Sequence, residues 1–350
     1  MQDYPIVIGE EALKQIPKWI KTHEPSQVMV FADTHTYSDC YPLLSGYLPT
    51  HHVTVIPPGE IHKNLSTCEI LWQALTDHQF DRKGLVINLG GGVLGDMGGF
   101  VAATYKRGMD FIQIPTTLLA QVDASVGGKL GIDFQTLKNH IGIFQFPQAV
   151  LIYPPFLKTL PTPELVSGFA EVVKHHLIAD RDAWRKLVQV TDIHALDFPA
   201  IIQHSVEIKS KIVELDYKES GARKALNFGH TLGHAIEGLF LEEADLTTLL
   251  HGEAIAIGMI GESQIAHQMG KLPKDELEDI SHYILTHFSK VDIPKGYLDA
   301  VYTRMLQDKK NAHGSILCTL VPQIGEYEIN IPLQKSHIAE ALKFYRELNV

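Results

Sequence analysis

GLVINLGGGVLGDMGGF, residues Gly84–Phe100, runs from a short apolar, β-rich stretch straight into a series of glycines. A buried strand that empties into glycine ahead of a helical pattern is the turn of an α/β unit. The same rhythm extends on both sides. PIVIG (Pro5–Gly9), QVMVFAD (Gln27–Asp33), HHVTVIPPGE (His51–Glu60), FIQIPTT (Phe111–Thr117) and AVLIYPP (Ala149–Pro155) read as further strands. EALKQIPKWI and LSTCEILWQALTDHQF carry a helical period between them. Short β-branched runs separated by helices predict a mostly parallel sheet with helices on both faces. After Pro155 the texture becomes helical, from LVSGFAEVVKHHLIAD through RDAWRKLVQV, AIIQHSVEIKSKIVEL, GHTLGHAIEGLF and GEAIAIGMIGESQIAHQMG to HIAEALKFYREL. PTPEL (Pro161–Leu165) gives a helix start, KLPKDELEDISHYILTHF another, and SILCTLVPQIGEYEINIPL a small hairpin. These patterns divide the chain into an α/β domain over residues 1–155 and a mostly α-helical domain over 156–350, without internal repeats.

The chain has 350 residues, 45% apolar and 20% charged, which suits two folded domains with real cores. A net charge of −11 disfavours nucleic acid and anionic membrane as partners. Cys40, Cys68 and Cys318 are scattered and odd in number, so neither a disulfide framework nor a CxxC metal pattern is present. The N-terminal residues lack a basic region followed by an apolar run, and no apolar run reaches membrane-spanning length. The expectation is a cytoplasmic protein.

Glycines at Gly90–Phe100 allow a backbone to approach a phosphate, and the N-terminus of a following helix stabilises its charge. The spacing is neither GxGxxG nor a Walker A motif. The same residues also read as a tight strand-to-helix packing turn, with Asp96 as a cap or a ribose acceptor. Two polar stretches flank the same sheet. PPGEIHK puts Glu60 and Lys63 at a strand end, and IPTTLLAQVDASVGGKLGID puts Thr116, Thr117, Asp123 and Lys129 in a loop region. Ligands of open α/β sheets bind beyond the strand carboxyl ends.

The helical half holds LNFGHTLGH (Leu226–His234) and HGEAIAIGM from His251. His230 and His234, four apart, share one helix face, and the residues alone pair them on one metal. Glu171 and His251 would complete a His/His/acid set with one open position. Ordinary core or surface histidines remain the other reading. Lys174 follows Glu171 by three, and Lys209, Glu219, Arg223 and Asn227 precede the histidines in sequence. Lys309 and Lys310 add positive charge near the end. Cations grouped around a metal suit a phosphorylated or carboxylated substrate.

Taken together, PPGE with Lys63, GGGVLGDMGGFVAATYKRG, FIQIPTTLLAQVDASVGGKLGID, LKNHIGIF, GFAEVVKH, ARKALNFGHTLGHAIE, HGEAIAIGM and DKKN resemble, in order, the blocks of the 3-dehydroquinate synthase family of sugar-phosphate cyclases. The resemblance runs from about residue 57 to residue 311. It implies a Rossmann-like domain that binds NAD and a helical domain that binds a divalent metal, zinc or alternatively cobalt. It assigns the metal to Glu171, His230 and His251, and turns His234 to a substrate phosphate. Asp123, Lys129, Asn139, Lys174, Lys209, Arg223 and Asn227 are placed by it around the substrate, with Glu219 as an acid/base or water-holding residue. At least one of Lys309 and Lys310 would meet the substrate. Arg107 would reach the phosphate site of a neighbouring subunit in a homodimer. For NAD it implies Asp33, Glu60, Lys63, Gly91, Gly92, Val93, Gly95, Asp96, Thr116, Thr117, Lys129, Lys138, Phe156 and Thr159.

The implied substrate is a small anionic sugar acid, 3-deoxy-D-arabino-heptulosonate 7-phosphate. The implied sequence is transient oxidation at C4, phosphate elimination, re-reduction, ring opening and intramolecular aldol closure. Asp216–Glu219 reads DYKE where DERE is typical, Leu130 replaces a common threonine, and His175 and His176 follow Lys174 where an aromatic or histidine and then glycine are frequent. The competing readings are an inosose- or valiolone-forming cyclase, a metal-dependent polyol or alcohol dehydrogenase, and a non-enzymatic NAD-binding or structural protein. Lys209, Arg223 and Asn227, the residues expected to face a carboxylate, favour dehydroquinate synthase over the other cyclases.

Overall fold

The computed structural model describes residues 4–135, 137–307 and 315–348. The chain forms two compact units, Met1–Leu165 with Phe198–Ser210, and Val166–Asp197 with Lys211–Val350. The last strand of the main sheet ends at Ile152, close to the boundary expected near residue 155, but the compact units change over inside the following long helix.

In the first unit the order is β1 (Ile6–Ile8), α1 (Gln15–His23), β2 (Val28–Asp33), α2 (Thr34–Asp39), α3 (Tyr41–Ser45), β3 (His52–Ile56), α4 (Leu65–Asp77), β4 (Leu85–Gly90), α5 (Gly92–Thr104), β5 (Asp110–Pro115), β6 (Lys129–Phe134), β7 (Leu137–Phe144) and β8 (Ala149–Ile152). Six strands pair in parallel in the order β1-β8-β5-β4-β2-β3. The sheet is covered on both faces, which is why its strands are nearly continuous apolar runs. On β2, Met29 and Phe31 join a cluster with Leu71, Leu75 and Met97, while Val28 and Val30 join another with Leu13, Ile16 and Leu44. Alternate residues of one strand thus feed two cores, as the pleat requires. The chain leaves β2 for β3 on one side and returns to β4 on the other. That reversal is a topological switch point, and Asp33 and Gly90 stand at the carboxyl ends of the two strands beside it.

One expectation is corrected. Lys129 does not sit in a loop; it opens β6, which pairs antiparallel with β7 as a separate two-stranded ribbon. Leu130 and Ile132 turn inward while β7 is almost wholly exposed, so the second strand lacks the apolar alternation that marks a buried one. Leu130, one of the departures from the common pattern, packs over Gly99 of α5, where any Cβ would collide with its side chain.

The second unit takes the remainder of α6 (Thr162–Ala179), followed by α7 (Arg181–Leu187), the end of α8 (Phe198–Leu215), α9 (His230–Glu242), α10 (His251–Gln268), α11 (Lys274–His287), α12 (Leu298–Gln307), β9 (Ile316–Leu320), β10 (Glu328–Leu333) and α13 (Lys335–Glu347). Strands β9 and β10 form the expected hairpin. Among the described residues no helix is long and apolar enough to cross a membrane.

Two glycines of α10 set how closely its neighbours approach. A Cβ at Gly252 would run into the backbone carbonyl of Ser167 on α6, and one at Gly258 into the carbonyl of Gly229 at the start of α9. The Gly252 N–H donates to Ser167 Oγ at 2.9 Å. Backbone cannot yield as a side-chain tip can, so these contacts demand glycine. Gly258→Ala is expected to destabilise the protein by about 3 kcal/mol through overpacking. Urea unfolding measures this, and a wild-type midpoint would show that α9 and α10 can separate at no cost.

Candidate metal and nucleotide sites

The glycine contacts bring three candidate side chains together within the second unit. Glu171 lies on α6, His230 opens α9 and His251 opens α10. Glu171 Oε1 stands 3.4 Å from His230 Nε2 and 3.8 Å from His251 Nε2, and Glu171 Oε2 pairs with the Lys174 ammonium one helical turn on. Glu171 and Lys174 are both buried. Each imidazole is oriented through its other nitrogen. His230 Nδ1 lies 3.0 Å from the Phe228 carbonyl oxygen, and His251 Nδ1 lies 3.5 Å from Glu237 Oε1. Oxygen partners at Nδ1 aim Nε2 at a shared point, the arrangement a metal-binding histidine needs. His234 is next to both, its ring centroid 5.1 Å from that of His230 and 5.7 Å from that of His251. One ligand atom from each of His230, His234 and His251 falls within 4.8 Å of the others.

Burial and neighbouring charges set the protonation of the cluster. Burial alone would raise the Glu171 carboxyl, but Lys174 and His230 hold it well below the usual carboxylate range. Burial, with Lys174 nearby, pushes His230 down to about 4, so its imidazole is neutral at ordinary pH. Burial would also lower His251, yet the carboxylates of Glu171 and Glu237 push it up to about 9. One carboxylate and two or three imidazoles around a buried point form a donor set suited to zinc-like divalent ions.

The chain before α9 is held by Asp216. Its carboxylate accepts the N–H groups of Ser220 (3.0 Å), Gly221 (2.6 Å) and Arg223 (3.1 Å). Burial acts to raise the Asp216 carboxyl, and these backbone donors outweigh it and lower it from its ordinary 3.8. The loop so formed carries Glu219, which accepts from Asn227 Nδ2 at 2.7 Å, and Arg223, whose Nη1 donates to the Tyr217 carbonyl at 2.7 Å.

In the first unit, Gly91 is the N-cap of α5 and offers no side chain to its first turn. The helix N-terminus therefore faces outward from the carboxyl end of β4 with backbone donors unserved by a cap. A Cβ at Gly91 would approach Thr117 Cγ2 to 2.9 Å. Beside it, Thr116 Oγ1 is buried and has no hydrogen-bond partner among the described residues. Across the switch point, Asp33 caps α2 by accepting from His35 and Thr36 through Oδ1. Neither cap bond uses its second oxygen. Asp96 is not a cap. It lies within α5 and pairs at 2.7 Å with buried Lys63, which also donates to Asn139 Oδ1 at 2.6 Å. Burial would lower Lys63, but Asp96 and Glu60 hold it above its ordinary value. Asp123 lies in a short π-helical turn, Ala120–Ala124, and its Oδ1 pairs with Lys209 at 2.9 Å.

Comparison with known proteins places this architecture. Residues 53–167 match the family model described as 3-dehydroquinate synthase N-terminal, and residues 168–311 match 3-dehydroquinate synthase C-terminal. The 3-dehydroquinate synthase of Parabacteroides distasonis is 38% identical over 99% of both chains. The chain belongs to the 3-dehydroquinate synthase family. The enzyme of that name from a Sulfurovum species is 43% identical over 85% of this chain and 84% of its own. Among solved structures, 2-epi-5-epi-valiolone synthase from Streptomyces hygroscopicus subsp. jinggangensis, with NAD+ and Zn2+ bound, superposes with a TM-score of 0.86 at 26% identity, covering 99% of this chain and 97% of that one.

Against that family background, Glu171, His230, His234, His251 and Lys174 form one cluster, and Lys63, Asp96 and Asn139 another. Phe156 is a core residue, packed at 5.0 Å against Tyr153, and exposed Thr159 donates to its carbonyl at 3.2 Å. Lys129 and Lys138 are exposed on the ribbon, and Arg107 is exposed in a left-handed conformation with φ 69°. Lys309 and Lys310 lie outside the described residues. Sequence reading did not single out Glu237 or, for its loop role, Asp216. The E of HAIE three residues after His234 was the available signal for Glu237.

The depressed Asp216 carboxyl has a pH consequence. Its contribution is full above the ordinary carboxylate value of 3.8 and fades as pH falls through the lower folded value. Asp216→Asn should lower stability near pH 7 by about 1 kcal/mol and flatten its decline below about pH 4. Urea unfolding over a pH series checks both, and parallel acid limbs for the two proteins would contradict the role of Asp216.

Proposed function

We propose that this chain converts 3-deoxy-D-arabino-heptulosonate 7-phosphate to 3-dehydroquinate and inorganic phosphate. The observation that carries the reading is the joining of Glu171, His230 and His251 around one buried point in a chain 38% identical to a 3-dehydroquinate synthase over its whole length. Glu171, His230 and His251 would hold a divalent ion, zinc or alternatively cobalt. The backbone at Gly91–Asp96, with Asp33, Glu60, Lys63, Thr116 and Thr117, would hold NAD, joined by Lys129, Lys138, Phe156 and Thr159. NAD supplies reversible hydride transfer and the metal supplies Lewis-acid polarisation of a substrate hydroxyl. The fit rests on the donor set described above, on the uncapped helix at Gly91 and on the orphaned Thr116 hydroxyl.

The remaining work falls to charge and position. Lys174, buried beside Glu171, stabilises negative charge on a substrate oxygen. Arg223, Asn227 and Lys209 recognise the carboxylate and make the acid group the specificity handle. Asp123, Lys129 and Asn139 orient the hydroxyl groups. His234 holds the phosphate until it leaves, and Glu219 positions water or a proton. Rigid orientation of a single small substrate converts each step into an intramolecular one. We assign Lys309 or Lys310 to the substrate as well, and Arg107 to the phosphate of a partner subunit in a homodimer located in the cytoplasm. The functional halves are taken to divide near residue 155.

Phosphate release from the heptulosonate phosphate with catalytic NAD, measured before and after chelation, tests the reading. Turnover should depend on metal, and His230→Ala should reduce it by about 10³-fold or more. Stoichiometric accumulation of NADH would point instead to a dehydrogenase. Cyclisation only of a sugar phosphate lacking the carboxylate would point to a different cyclase.

A further inference from the structure

Helix α9 begins with a defect that its own sequence cannot repair. The first N–H groups of any helix lack intrahelical acceptors. A side chain at the N-cap commonly supplies one, yet the N-cap here is Gly229, with φ 80° and no side chain. Glycine is favoured there by the positive φ and by space, since a Cβ would meet Met259 Cγ at 2.5 Å and the Ile255 carbonyl oxygen at 3.0 Å, so a capping serine or aspartate would be strained.

The missing acceptor comes from the neighbouring helix. Glu262 on α10 has no exposed surface. Its Oε2 accepts the Gly229 N–H at 2.6 Å and its Oε1 accepts the Leu232 N–H at 3.0 Å. These are the N-cap and third-residue donors, the pair that a capping box serves from within one helix. A single carboxylate on another helix replaces both halves of that box. The anion also sits at the positive end of the α9 dipole, which favours its burial in charged form.

Between the two clamped residues lies His230. We propose that Glu262 is a positioning residue for metal binding, fixing the backbone on both sides of His230 so that its Nε2 stays aimed at Glu171. The proposal rests on the metal-site reading above. A carboxylate is needed because both of its oxygens are used; an amide of the same shape offers one acceptor and turns a donor toward the other N–H. In sequence Glu262 follows HGEAIAIGM rather than lying in it.

The test uses the full-length protein stripped of metal, at a temperature where circular dichroism shows each variant folded. Zinc affinity is read by competition with a chromophoric chelator, and geometry by the visible spectrum of the cobalt-loaded protein. Glu262→Gln and Glu262→Ala are expected to bind zinc about 10- to 100-fold more weakly, with a shifted cobalt band. A purely structural role would lower the melting temperature and leave affinity and spectrum unchanged, and that result overturns the proposal. If Glu262→Ala does not fold, Glu262→Gln decides. His230→Ala separates the two ideas. Loss of zinc in that variant with wild-type binding in both Glu262 variants sinks only the positioning role. Failure of the wild-type protein to take up zinc sinks the metal site and this proposal together.

Discussion

A carboxylate buried away from the surface must be matched by positive charge, and Glu171 is such a group. Lys174, one turn along α6, and the His251 imidazole, pushed up to about 9, supply the match, with the neutral His230 imidazole 3.4 Å from the carboxylate. None of this assembles unless three helices approach closely at this point. Gly252 against Ser167 and Gly258 against Gly229 permit that approach, so the charge cluster depends on residues with no chemistry of their own. The same exclusion of water that makes an unmatched Glu171 costly strengthens its attraction for a cation. Stability and function therefore draw on one constraint, and the carboxylate is stable here only with a cation beside it.

In the sheet unit, glycines divide between two tasks. Gly91 leaves the first turn of α5 open beside Thr116 and Thr117, at the switch point where ligands of such sheets bind. Gly98 and Gly99, about two turns later, face Asn88 and Leu130, and a side chain at either would collide. The packing-turn reading of GGGVLGDMGGF holds at Gly98 and Gly99, while Gly91 leaves the helix N-terminus without a side-chain cap. Leu130 fits because Gly99 offers no side chain to oppose it, so its departure from the common threonine is absorbed by packing.

The parts of the fold legible in the sequence are those whose burial leaves a period. Strands β2, β4, β5 and β8, buried on both faces, stand out as apolar runs, and the long helices show their stripes. The β6–β7 ribbon is hidden because GGKLGID is glycine-rich and β7 is solvent-exposed, so neither strand carries the expected alternation. Helices α2 and α3 are too short to complete a period. In the site, histidine spacing reveals His230 and His234, since four residues make one turn. Glu237, Asp216 and Glu262 remain obscure because each acts on a neighbour set by tertiary packing or loop geometry, and an isolated acidic residue in a helical pattern looks like a solvated one.

Spacing could not separate His230 from His234, and the structure adds the partners of the His230 and His251 rings. His230 and His251 have Nδ1 directed at the Phe228 carbonyl and at Glu237, and their Nε2 atoms converge on one oxygen of Glu171. His230 is further fixed by its place in the first turn of α9, where Gly229 and Leu232 are tied to Glu262. His234 lies a turn deeper, beyond those clamps, with its ring at 81° to that of His230. A ligand that must keep one geometry through a reaction belongs where the backbone is held on both sides. What the geometry adds to spacing is the convergence of two oriented Nε2 atoms on one carboxylate, and it marks out His230 with His251.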